Sequence, residues 1–200
     1  MISFKVLGVN VRIEMLFIAT ITIFLLVDKS NIGVMSICAC ILHESGHILM
    51  LFLFRCKPKE LVFDIIGIKL VNSNNKLSEK KDLCVLVAGS FINFFIFFLL
   101  FGFTSSLNNL GLFAVCNLVL GVFNLLPVSS FDGGKILEII LMRFFSYRTV
   151  DVLCRATEIL FTLAILVVFI LTIIIKKPGI TSLVITCYLI FAVVIRFNRK

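Results

Sequence analysis

Apolar runs long enough to cross a bilayer recur along the chain, and they constrain its fold before any motif is considered. They fall at about 13–27, 32–54, 83–103, 111–126, 157–175 and 180–195. A hydrocarbon layer is about 30 Å thick and takes roughly 20 residues of helix to cross. With no water inside it, a spanning segment must satisfy its own backbone hydrogen bonds, which a helix does. Six such runs in 200 residues predict an all-α polytopic membrane protein with six transmembrane helices, organised as a single domain over 1–200. Composition agrees, with 60% of residues hydrophobic and a mean hydropathy of +1.17.

The formal net charge of +8 does not point to nucleic acid. The basic residues sit between the apolar runs and at the chain ends rather than on one face interleaved with aromatics. That is the distribution the positive-inside rule produces. The stretch from Arg55 to Asp82 holds seven Lys or Arg against four Asp or Glu. With both termini cytoplasmic, this stretch, the Lys135–Arg155 segment and the Arg196–Lys200 tail all fall inside; only Lys176-Lys177 is discordant. Met1 to Asn10 lacks the pattern of a cleaved signal peptide, so the first run is expected to stay as an anchor. Glu14 is expected at the interface, paired with Arg12. Seven scattered cysteines without C-x-x-C read as small packing residues, not a disulfide framework. Within the polar loop, Ile65 to Val71 is β-prone and partly alternating, so a short β-hairpin after the second helix stands beside the reading of an ordinary loop.

The second run carries His43-Glu44-Ser45-Gly46-His47, and these are the only two histidines in the chain. Residues at i and i+4 share one face of a helix, so both imidazoles can reach one metal ion. A carboxylate at the next position, Glu44, can take a proton from water activated by zinc. Two histidines and a glutamate inside an apolar run need a partner, because an ionisable group there costs about 3 kcal/mol or more. One divalent cation per chain is the simplest partner. Hydrolytic zinc sites use three protein ligands and leave one position open. The acidic candidates for the third are Asp132, Glu138 and Glu158, with Glu14 behind them. Asp132 stands out because Pro127 precedes it and Gly133-Gly134 follow it. Irregular backbone at membrane depth is tolerated only where it is buried or lines a cavity.

His43-Glu44-Ser45-Gly46-His47 in an apolar run, Asn124-Leu125-Leu126-Pro127, and Asp132-Gly133-Gly134 together resemble the site-2 protease family of intramembrane zinc metalloproteases. Ala88-Gly89-Ser90-Phe91-Ile92-Asn93 is similar to the family's A-G-P-x-x-N element, with Ser90 in place of the proline. Spacing and size are most similar to the stage IV sporulation protein FB group, and neither that group's CBS domain nor a PDZ domain is read here. The resemblance implies a zinc-dependent endopeptidase that cleaves membrane-tethered proteins in or beside a transmembrane segment. His43, His47 and Asp132 would hold zinc, Glu44 would be the catalytic base, and Asn124 and Asn93 would line the cavity. It also implies a pro-sigma or anti-sigma factor as substrate, a membrane-embedded regulator as partner, and a multi-pass place in a cell membrane.

Three other readings compete. Glu138 or Glu158 could replace Asp132 as third ligand. A metal-ion transporter or binding protein could use the same His/Glu cluster without proteolysis. An inactive homologue could act as a scaffold, although the intact motif argues against that.

Overall fold

The alternation Ile2-Ser3-Phe4-Lys5-Val6, then Val9-Asn10-Val11-Arg12-Ile13, has the two-residue period of strands, and the chain begins with two of them. A computed structural model describes residues 2–6, 9–28, 31–56, 58–64, 67–72, 77–102, 109–129 and 131–175. The expected sixth span at 180–195, the Lys176-Lys177 connection and the basic tail lie outside the described residues. The chain divides into two units, Met1–Phe123 and Asn124–Lys200.

The first unit holds β1 (Ile2–Val6), β2 (Val9–Ile13), α1 (Met15–Val27), α2 (Ile32–Leu53), β3 (Pro58–Asp64), β4 (Gly67–Asn72), α3 (Glu79–Phe101) and α4 (Asn109–Asn124, whose last residue opens the second unit). The fold is mostly helical, but the all-α expectation is corrected here: four strands form one sheet in the order β1-β2-β3-β4. β1 and β2 pair antiparallel, β2 and β3 parallel, β3 and β4 antiparallel. The parallel pair closes around α1 and α2, an up-and-down helix pair that returns the chain to the side it left. Val9 and Val11 are buried while Asn10 between them is exposed, as the pleat requires. Arg12 pairs with Glu60 across β2 and β3 at 2.9 Å, not with its near neighbour Glu14 as expected. β3 and β4 run from Pro58↔Asn72 to Asp64↔Gly67, and residues 65 and 66 between them are not described.

α2 begins behind Asp28, whose Oδ2 accepts from Gly33 N at 2.6 Å. It ends in a Schellman turn: Cys56 N donates to Leu51 O and Arg55 N to Phe52 O, with Arg55 in the left-handed region at φ 57°. α3 opens after Ser78 with Glu79 and Asp82 in its first turn, where the helix dipole favours acids. Two helices among the described residues, α2 and α3, are long and apolar enough to cross a membrane by length and composition. Their outer faces are apolar: Phe91, Phe95, Phe98 and Phe101 are all exposed on one side of α3. A water-facing helix does not carry four phenylalanines in that way; lipid accounts for it.

The second unit holds the loop after α4, then α5 (Asp132–Leu141) and α6 (Tyr147–Ile175). α4 stops at Asn124, ahead of Pro127, because the residues before a proline are pushed out of helical conformation. α6 is 29 residues long, so the later part of the charged segment, from Tyr147, and the fifth apolar run make one continuous helix, while its earlier part belongs to α5.

Candidate metal centre

The histidine side of the centre is made by two helices that touch backbone to backbone. A Cβ on Gly46 would stand 2.6 Å from Ala88 O, so α2 and α3 approach as closely as only glycine allows. A Cβ on Gly89 would stand 2.6 Å from His47 Nε2 and 2.7 Å from His43 Cε1. The space a side chain would fill at position 89 is occupied by the imidazoles, which gives the Ala88-Gly89 element its physical reason. His43 and His47 are 4% and 5% exposed. Their rings cross at 88° with centroids 4.7 Å apart.

His47 Nδ1 lies 2.7 Å from Val85 O on α3. A carbonyl can only accept, so the proton is assigned to Nδ1 and Nε2 keeps its lone pair. Such a second partner is what orients a metal-binding histidine. His43 Nε2 is 3.1 Å from His47 Nε2. Two tetrahedral zinc–nitrogen bonds would hold their nitrogens about 3.3 Å apart, so the pair fits zinc with a small adjustment.

Asp132 is the first residue of α5, 7% exposed. It owes its position to two glycines under a returning loop. A Cβ on Gly133 would meet Leu125 O at 2.1 Å, and one on Gly134 would meet Val128 O at 2.3 Å. The 125–129 backbone lies directly on the first turn of α5, tied there by Phe131 N donating to Val128 O at 2.8 Å. Lys135 Nζ approaches Asp132 Oδ1 at 3.5 Å, but the lysine is more than half exposed and the pair is screened. His43 and His47 in the first unit, and Asp132 at the start of α5 in the second, are each buried and each carry a donor of the kind zinc takes.

The other candidates fall elsewhere. Glu44 follows His43 on α2 and is half-buried. Asn93 is fully buried, and its Nδ2 donates to Ala39 O at 3.4 Å, bridging α3 to α2 one turn before His43. Asn124 is the half-buried last residue of α4. Glu138 and Glu158 belong to no metal-holding group of three among the described residues. Sequence reasoning passed over Val85, whose backbone carbonyl no side-chain pattern could signal. It also passed over Asn117, fully buried on α4 with Nδ2 donating to Phe113 O at 2.8 Å. A lone polar residue in an apolar run was its signal.

The described residues combine a mostly helical fold, two helices long and apolar enough to cross a membrane, and two buried histidines on one face of α2. The family model for peptidase family M50 matches residues 102–172. A zinc metalloprotease of Methanocaldococcus jannaschii is 26% identical over 159 residues, which cover 72% of this chain and 46% of that protein. The chain thus spans about half the length of the curated relative it matches. The solved structure of the site-2 protease from Methanocaldococcus jannaschii shares the fold, with a TM-score of 0.67 and 23% identity over 95% of this chain and 92% of that one. The chain is thus similar to peptidase family M50 over residues 102–172 and shares its fold with a solved site-2 protease.

Proposed function

We propose that this chain is a zinc-dependent intramembrane endopeptidase, a single domain of six spans with both termini cytoplasmic. In this reading it cleaves membrane-tethered proteins, a pro-sigma or anti-sigma factor among them, within or beside a transmembrane segment. The observation that carries the reading is the histidine pair, two buried imidazoles with Nε2 atoms 3.1 Å apart and one tautomer set by Val85 O. His43, His47 and Asp132 are the proposed ligands, one zinc per chain. Zinc bound there polarises the scissile carbonyl and lowers the pKa of water to about 7.

The remaining work belongs to the chain's own groups. Glu44 takes a proton from the attacking water, whose oxygen adds to the carbonyl carbon. The same carboxyl then delivers that proton to the nitrogen as the C–N bond breaks, leaving a carboxylic acid and an amine. Asn124 and Asn93 are proposed to line the cavity. A substrate helix must open first, because its carbonyls are engaged in i to i−4 hydrogen bonds. β4, outermost in the sheet on the side away from β1, offers backbone groups that could hold the opened segment as an added strand. Proline at Ile68 should then reduce cleavage.

Zinc content of the purified protein in detergent is the first test. About one zinc per chain is expected in wild type and in Glu44→Gln, with Asp132→Ala weakened. Cleavage of a membrane-tethered reporter should be lost in Glu44→Gln. Zinc bound with no cleavage, and metal flux lost in Glu44→Gln, would favour the transporter reading. No zinc after reconstitution at neutral pH would end the protease reading.

A further inference from the structure

The second unit contains a cavity of about 160 Å³ that the proposed hydrolysis does not use. Pro127 and Ser129 of the loop that seats Asp132 line it, with Gly134 and Glu138 from α5 and Glu158 from α6. Glu158 is 7% exposed and makes no hydrogen bond or ion pair among the described residues. Ser129 Oγ, also on the lining, is buried without a hydrogen-bond partner. The one basic side chain on the lining, Arg155, is already bonded to Asp151 one turn before it.

A buried carboxylate is costly unless a cation answers it, and a buried hydroxyl is costly without a hydrogen bond. The cavity therefore holds the carboxylates of Glu138 and Glu158, with no cation bonded to Glu158 among the described residues, beside the unpartnered Ser129 hydroxyl. A divalent ion is a poor fit, since the described residues place no third ligand beside these carboxylates. An ammonium or guanidinium on a flexible stem fits better: it brings one positive charge, several N–H donors and an apolar stem to lie against Val150 and Leu137. Glu158 stands one residue inside the expected cytoplasmic start of the fifth span. At that level the positive-inside rule places Lys and Arg on the flanks of other transmembrane segments.

We infer that the Glu158 cavity receives a Lys or Arg side chain from the cytoplasmic flank of the polypeptide substrate, holding that substrate's membrane segment against the loop that carries Asp132. The inference rests on the protease reading for what the bound segment is, and it is tested without cleavage. In the Glu44→Gln background, binding is measured by fluorescence anisotropy in nanodiscs. The probes are two labelled single-span Leu/Ala peptides, one ending in Lys-Arg and one in Gln-Gln. The basic peptide should bind at least about tenfold more tightly. Adding Glu158→Gln should erase that difference, and Glu158→Lys should shift preference to a Glu-Glu peptide. Equal affinity for the first two peptides, or a preference that survives Glu158→Gln, would overturn the inference. Failure of the protease reading would look different: protein with Glu44 intact would bind the basic peptide through Glu158 and cleave no membrane-tethered reporter.

Discussion

The two histidines stand on one regular helix, α2, against α3, while Asp132 is set by a loop folded onto the start of α5, and glycine is indispensable to both in different ways. At Gly89 an added Cβ would strike imidazole atoms, the ends of side chains that can swing. At Gly133 and Gly134 it would strike carbonyl oxygens and carbons of the returning backbone, which cannot move without the loop. The histidine geometry is a matter of helical period plus one close helix contact. The aspartate geometry depends on where an irregular segment of backbone lies, so a single methyl should be felt as misfolding there and as mispositioned ligands in the helices.

Substitutions can break or sharpen that contrast. The largest effect is expected from Glu44→Gln, which should lower cleavage about a thousandfold while zinc content and melting temperature stay near wild type. Gly133→Ala should come next, costing about 3 kcal/mol or more because backbone has to shift, with zinc and thermal stability lost together. Gly89→Ala should cost about 1–3 kcal/mol, but zinc should fall much further than stability does. Equal stability losses at Gly89 and Gly133 would erase the distinction drawn here. Asn93→Ala should cost about 1 kcal/mol, as interhelical hydrogen bonds in membranes do, and leave zinc in place. Gly102→Ala is the smallest: Gly102 has φ −75° and nothing within 4 Å of its Cβ position, so a gain of about 0.5 kcal/mol is expected. Thermal unfolding in detergent, read beside zinc content, checks all four substitutions after Glu44.

Parts of this architecture were open to reading from residues alone. The 3.6-residue period carries His43 and His47 to one face of α2 regardless of the surroundings, and Pro127 has to end α4 within a few residues. The N-terminal strands left an equally local signal, the alternation from Ile2 to Val6 and Val9 to Ile13. Five residues of alternation beside a long apolar run are too short a signal to fix a strand without its pairing partner. The partner of Arg12 could not be read, since Glu60 reaches it only through the parallel pairing of β2 with β3.

The sequence by itself determined the membrane-embedded character, the helical histidine pair, the break before Asp132 and the choice of zinc-type donors. Each follows from local chemistry, whether hydropathy, period, or the restricted backbone of proline. Only the tertiary structure decided that β1 and β2 join β3 and β4 in one sheet, that Val85 O fixes the His47 tautomer, and that Gly89 leaves room for both rings. It also decided that Glu158 stands buried in a cavity without a partner among the described residues. Those four facts turn on which atoms distant segments bring within a few ångströms of each other, and no periodicity in the chain encodes that.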